Sequence, residues 1–140
     1  MTAAAAPRST GIRTVIVGAS GRMGTQMLRL LPQFPMLTLV GAVASERSAA
    51  LGSTALAAPH GAVAITAQLP PLLAQADLVI DFSSASAAAA HVAACVAARV
   101  PLLLGTSGLP PELSAPLAAA AEVIPLLVAP NTSPGVTLLL

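Results

Sequence analysis

The sequence predicts a doubly wound α/β domain on a parallel sheet. Three observations carry that expectation. Apolar runs of strand length recur along the chain and alternate with stretches of helical spacing. The runs are continuously apolar, as strands covered on both faces are. The first run ends in a glycine-rich loop that opens a helix, as a strand–helix–strand unit begins.

Thr14 to Val17 is β-branched and forms the first strand. Met23 to Leu31 places Met23, Met27, Leu28, Leu30 and Leu31 near helical spacing, and Pro32 stops the helix. Leu37 to Val43 is the second strand and Ala62 to Ile65 a weak third. A short helical segment, Leu69 to Ala76, precedes a fourth strand, Asp77 to Asp81. Ser83, Ser84 or Ser86 can cap the helix running through AAAAHVAACVAA with a side-chain hydroxyl. Val100 to Leu104 is the next strand, Pro110 to Ala121 a helix with proline near its first turn, and Ile124 to Val128 the sixth strand.

Composition excludes several function classes. At 140 residues the chain has the length of one domain, short for a two-domain enzyme. Apolar residues make up 56% and charged residues 8%, with six Arg, no Lys and a formal charge of +1. With no Trp, no Tyr and two Phe, neither a basic footprint nor stacking platforms for nucleic acid are present. The longest charge-free run, Ser48 to Ala76, is interrupted by Pro59, His60, Gly61, Pro70 and Pro71, so it lacks the roughly 20 apolar residues of a membrane span. Residues 1–11 carry no signal-peptide pattern and are expected to form a loose extension. The single Cys95 lies in the alanine-rich helix and is expected to be a buried thiol. A soluble cytoplasmic protein is the expectation.

Ligands of an open α/β sheet lie at the carboxyl ends of the strands. The first such loop is Gly18-Ala19-Ser20-Gly21-Arg22-Met23-Gly24, with glycines spaced G-x-x-G-x-x-G rather than G-x-G-x-x-G. Gly18 lets the chain leave the strand sharply, Gly21 permits backbone to approach a pyrophosphate, and Gly24 brings helix and sheet close. The helix N-terminus offers free N–H groups to the anion, and Arg22 can add its guanidinium. A tight turn without ligand satisfies the same glycines. The second loop, Ser45-Glu46-Arg47, stands where an acid contacts the ribose of a nicotinamide nucleotide. Glu46 can accept from the 2′-hydroxyl of NADH, and Arg47 can pair with the 2′-phosphate of NADPH. A solvated Glu–Arg pair is the bland alternative. The remaining strand ends are Asp81-Phe82-Ser83-Ser84, Gly105-Thr106-Ser107-Gly108 and Ala129-Pro130-Asn131-Thr132-Ser133-Pro134-Gly135, small and rich in hydroxyls and amides. Asp81 reads as a structural hydrogen-bonding group rather than a base. His91 reads as a packed or half-exposed structural helix residue rather than a catalytic one, and His60 as a solvated turn residue.

GASGRMG, DFSS, GTSG and APNTSPGV, in that order and spacing, resemble the N-terminal domain of dihydrodipicolinate reductase, over nearly the whole chain from Ile12 to Leu140. The resemblance implies a Rossmann-like domain over 12–132, binding NADPH or NADH. It implies pyrophosphate contacts from Gly18, Ala19, Ser20, Gly21, Arg22, Met23 and Gly24, and ribose contacts from Glu46 and Arg47. It further implies nicotinamide contacts from Gly105, Thr106, Ser107, Ala129, Pro130, Asn131 and Thr132. The segment from Gly41 to Arg47 is one residue longer than the family pattern, so Ser45 or Glu46 takes the ribose place. Pro130 stands where a small alanine is common and removes one N–H.

In that family a second domain carries a His-rich, Lys-containing motif that binds a cyclic dicarboxylate of the lysine (diaminopimelate) pathway and supplies the proton. Residues 133–140 would begin the connection to that domain, which is missing from these 140 residues. No catalytic residue and no metal ligand is therefore assigned, and a fragment inactive by itself is expected, from an enzyme that is a homotetramer at full length. Two rivals remain. Another NAD(P)-binding oxidoreductase needs a catalytic Cys or a Tyr-x-x-x-Lys pair, and Tyr and Lys are absent. A non-catalytic nucleotide-sensing module would use the same loops.

Overall fold

A computed structural model describes residues 11–56 and 62–129. Its order is β1 (Ile12–Val17), α1 (Arg22–Leu30), β2 (Leu37–Val43), β3 (Thr54–Leu56), β4 (Val63–Thr66), β5 (Leu78–Asp81), α2 (Ala85–Ala98), β6 (Leu102–Leu104), α3 (Ser114–Ala121) and β7 (Leu126–Val128). Single 3₁₀ stretches cover Leu31–Gln33, Pro70–Gln75 and Pro111–Leu113. Each has proline in its first turn, where the missing N–H costs nothing.

The strands form one sheet in the order β3-β4-β2-β1-β5-β6-β7. Every pairing is parallel except β3 with β4, which is antiparallel. From β1 the chain winds outward to β2 and β4, then crosses back to β5 on the other side of β1. That reversal leaves a crevice above β1 and β5. The expected doubly wound, Rossmann-like sheet is thus the observed one.

Burial on both faces explains the continuous apolar runs. Val15 and Val17 of β1 join Val79, Val92, Cys95, Leu102, Leu104 and Leu113 in one cluster on the α2–α3 face. Ile16, between them, joins Leu28, Leu31, Leu39, Ala42 and Ile65 on the α1 face. Cys95 is free and buried, as expected, and burial pushes its thiol up to about 12.

Several boundaries differ from the expectations. Strands expected from Val100 and Ile124 begin at Leu102 and Leu126, just after Pro101 and Pro125. These prolines cannot donate to the ladder, although their carbonyls accept from Val79 N–H at 2.9 Å and Leu102 N–H at 3.1 Å. The helix expected from Pro110 divides into the 3₁₀ stretch and α3. The short antiparallel β3 was not expected; its three residues TAL offer no period to read. Ser84 does occupy the N-cap of α2, but no side-chain hydroxyl caps the helix: Ser84 Oγ lies 3.1 Å from Ser86 Oγ instead. The N-terminal extension except Gly11, His60, and residues 130–140 lie outside the described residues. Among the described residues no helix is long and apolar enough to cross a membrane, and among them no group of three or more His, Cys, Asp or Glu is placed to hold a metal ion.

Candidate nucleotide cleft

The ends of β1, β2, β4 and β5 converge on a cleft of about 380 Å³. Val17, Gly18, Ser20 and Gly21 form one wall, Val43 to Glu46 a second, and Phe82 to Ser84 with Ala87 and His91 of α2 a third; Ala67 closes the end of β4. The cleft sits at the reversal of strand order, where nucleotide sites of this architecture form.

The three loop glycines do different work. Gly18 has φ +83°, and a Cβ there would lie 2.6 Å from the carbonyl oxygen of Phe82. It is a positive-φ turn wedged against the β5 end. A Cβ on Gly24 would fall 2.0 Å from the Gly18 carbonyl oxygen and 2.8 Å from Ala19 Cα, so helix and loop touch backbone to backbone there. Gly21 is unlike both. It is exposed and extended, with φ −80°, and an added Cβ would meet a single neighbour, Gly18 O at 3.3 Å. The backbone at 21 suits any residue, and an added Cβ would need Gly18 O to give by only a few tenths of an ångström, so glycine is demanded far less there than at 18 or 24.

Gly21 caps α1 by its backbone alone, with no side-chain hydrogen bond and no acid in the first turn. The positive end of the helix is therefore unopposed. Gly18 and Ala19 N–H groups both donate to the Val43 carbonyl at 2.9 Å, fixing the loop to the β2 end. Across the cleft, Ser45 and Glu46 both line it, while Arg47 is exposed beside them. Ser48 Oγ donates to Ser20 Oγ at 3.2 Å and accepts from Ala50 N–H at 3.1 Å, tying the second loop to the first.

The other expected site residues fall into distinct places. Arg22 and Met23 are exposed at the start of α1, whereas Ala19 and Gly24 are buried under the loop. Gly105 and Thr106 support the β5 end from behind. Gly105 N–H donates to the Asp81 carbonyl at 2.8 Å, and the buried Thr106 hydroxyl reaches the same oxygen at 3.4 Å. A Cβ on Gly105 would strike the Phe82 ring at 2.1 Å, so this glycine makes room for the ring that lines the cleft. Ser107 is exposed, and Ala129 N–H donates to Leu104 O at 2.8 Å. Pro130, Asn131 and Thr132 lie outside the described residues.

One pair at the cleft was not among the expected site residues. Asp81 is fully buried; its Oδ1 accepts Ser83 N–H at 2.8 Å, and its Oδ2 lies 2.8 Å from Nδ1 of His91, a residue of the third wall. Asp81 does hold hydrogen bonds at a strand end, as its sequence position suggests. The imidazole it holds belongs to the cleft rather than to the core.

Comparison with known proteins follows this geometry. The family described as dihydrodipicolinate reductase, N-terminus, matches residues 12–132. The 4-hydroxy-tetrahydrodipicolinate reductase of Myxococcus xanthus is 45% identical over 134 residues, covering 92% of this chain and 49% of that protein. That of Anaeromyxobacter dehalogenans (strain 2CP-1) is 44% identical over 75 residues, 51% of this chain and 28% of the relative. Among solved structures, dihydrodipicolinate reductase of Paenisporosarcina sp. TG-14 with dipicolinate bound superposes with a TM-score of 0.74 at 25% identity, covering 91% of this chain and 50% of that one. The chain thus spans about half the length, or less, of the relatives it matches.

Proposed function

The chain belongs to the dihydrodipicolinate reductase family by its N-terminal domain, and from that membership we propose that it binds NADPH or NADH as the cofactor half of a reductase. Residues 12–132 are the dinucleotide-binding domain, residues 1–11 an extension, and residues 133–140 the lead into the substrate half. The full enzyme reduces 4-hydroxy-tetrahydrodipicolinate, as the names of the relatives suggest, and works in lysine biosynthesis in the cytoplasm as a homotetramer. The bound nicotinamide supplies the hydride.

The observation that carries this reading is the role of Gly21. It is the loop glycine that packing and backbone constrain least, beside the unopposed N-terminus of α1, at the point where strand order reverses. A pyrophosphate needs backbone N–H groups and no intervening side chain, and that is what the loop presents. Gly18 and Gly24 shape the turn, and Arg22 adds positive charge at its rim. Glu46 faces the ribose from the β2 end, with Ser45 beside it on the same wall. Arg47, exposed beside this wall, would pair with the 2′-phosphate of NADPH, which favours use of both cofactors. Gly105 to Ser107 and Ala129 to Thr132 flank the nicotinamide end. The 140 residues hold no Lys, and no proton donor is assigned to the reaction within them, so they bind cofactor without turning over substrate.

Titration of NADH and NADPH into the purified chain, read by nicotinamide fluorescence, tests the reading. Saturable binding is expected, abolished in Gly21→Glu, which puts a carboxylate where the pyrophosphate lies while leaving circular dichroism unchanged. A folded chain that binds neither nucleotide refutes the proposal.

A further inference from the structure

We infer that His91 is a nucleotide-binding residue, held by Asp81 so that its Nε2 accepts a hydrogen bond from the bound cofactor, a ribose hydroxyl first among its donors. The inference rests on the NAD(P)H-binding reading above and adds a contact on the β5–α2 wall, beside the glycine loop and across from the β2 end.

The tautomer follows from the partners. The Asp81 carboxylate accepts Ser83 N–H on Oδ1 and faces His91 Nδ1 at 2.8 Å with Oδ2. A carboxylate only accepts, so Nδ1 donates. Ser83 Oγ, 3.3 Å from the same nitrogen, makes a weaker second contact. With Nδ1 committed as donor to Asp81, Nε2 is the atom left for a ligand, and in the neutral ring it carries the lone pair. Nε2 has no hydrogen-bond partner among the described residues, yet no buried side-chain nitrogen or oxygen there lacks one. Nε2 is therefore open, and the surface His91 contributes to is the cleft.

Placement on α2 supports this. Ala88, Val92 and Cys95 form the core face of the helix, whereas Ala87 and His91, one turn apart, line the cleft. The small Ala87 leaves space in front of the ring. Stability alone does not account for the pair. A wholly buried carboxylate is costly to desolvate, and an apolar pair of similar volume generally packs as well or better. What the carboxylate does supply is a fixed ring with one defined free atom.

The test uses the 140-residue chain with NADH as probe. An Asn side chain reproduces the Nδ1 position and retains the bond to Asp81, whereas Gln reaches the Nε2 position. The expected result is that His91→Asn weakens NADH binding about three- to tenfold, the worth of one neutral hydrogen bond, while His91→Gln stays near the wild type. Asn binding as tightly as wild type, or Asn and Gln weakened equally, would overturn the inference and leave His91 a support for Asp81. Should a variant fail to fold, the ¹⁵N resonance of Nε2 in the unmutated chain decides, assigned with His60→Ala. It must move when NADH saturates, and a fixed resonance overturns the inference. A folded wild type that binds no NADH and no NADPH removes the nucleotide reading itself, and this contact with it.

Discussion

Replacing Gly24 and Gly21 by Ala in turn separates structure from function within one loop, because the same added methyl meets opposite surroundings. At Gly24 the new Cβ would sit 2.0 Å from the Gly18 carbonyl oxygen and 2.8 Å from both Gly18 C and Ala19 Cα. All three are backbone atoms. Relief requires the loop to retreat by more than an ångström, and it has nowhere to go: Gly18 is in a positive-φ turn packed against the Phe82–Ser83 backbone, and Val43 O holds two of its N–H groups. Overpacking of this kind costs about 3 kcal/mol at the upper end of its range. Alanine within a helix returns about 1 kcal/mol through propensity. The net loss is about 2 kcal/mol, which lowers Tm by roughly 6–8 °C in a domain of this size. At Gly21, the N-cap of α1, the only neighbour is Gly18 O at 3.3 Å, which must give by a few tenths of an ångström, and the backbone suits any residue, so Ala should cost no more than about 1 kcal/mol. Thermal and urea unfolding followed by far-ultraviolet circular dichroism measures both. A Gly24→Ala variant as stable as wild type, or a Gly21→Ala variant that loses as much, would refute the division of roles among the glycines.

Three further outcomes are expected. Glu46→Ala should weaken NADH binding about tenfold or more, the value of a charged hydrogen bond, while Arg47→Ala should weaken NADPH selectively and reduce the salt dependence of its binding; fluorescence titrations at two ionic strengths resolve both. The Cys95 thiol, pushed up to about 12 by burial, keeps its proton in the folded chain where an unfolded thiol near 9 has lost it. The folded state then binds more protons than the unfolded state between those values, so stability is whole below pH 9 and falls as pH rises toward 12. Cys95→Ala should flatten that fall in urea titrations run across the interval. Finally, β7 pairs with β6 alone among the described strands and exposes Leu127 and Val128. Leu127→Lys should lower concentration-dependent light scattering of the chain, and unchanged scattering would clear this edge as the association site.

What could be read from the residues, and what could not, divides by the range of the interaction. The parallel sheet was legible because burial on both faces writes itself as continuous apolar runs: Val15, Ile16 and Val17 each face a core, on alternating sides. The glycine loop was legible because a turn is a local event. The separate parts of its glycines were read from their order, but how little room Gly18 and Gly24 leave, compared with Gly21, needed the neighbours of each. The serine hydroxyl cap failed for a related reason. Ser84 is correctly placed, but another hydroxyl, that of Ser86, competes for the side chain. The Asp81–His91 pair lay furthest from view. Its members end a strand and ride mid-helix, ten residues apart, and each has an adequate local explanation when taken singly. Only the packing of α2 against β5 turns a strand-end carboxylate and a helix imidazole into one oriented group facing a cleft. Local reading finds the loop that would cradle an anion; it takes the tertiary fold to find the side chain on the wall beside it.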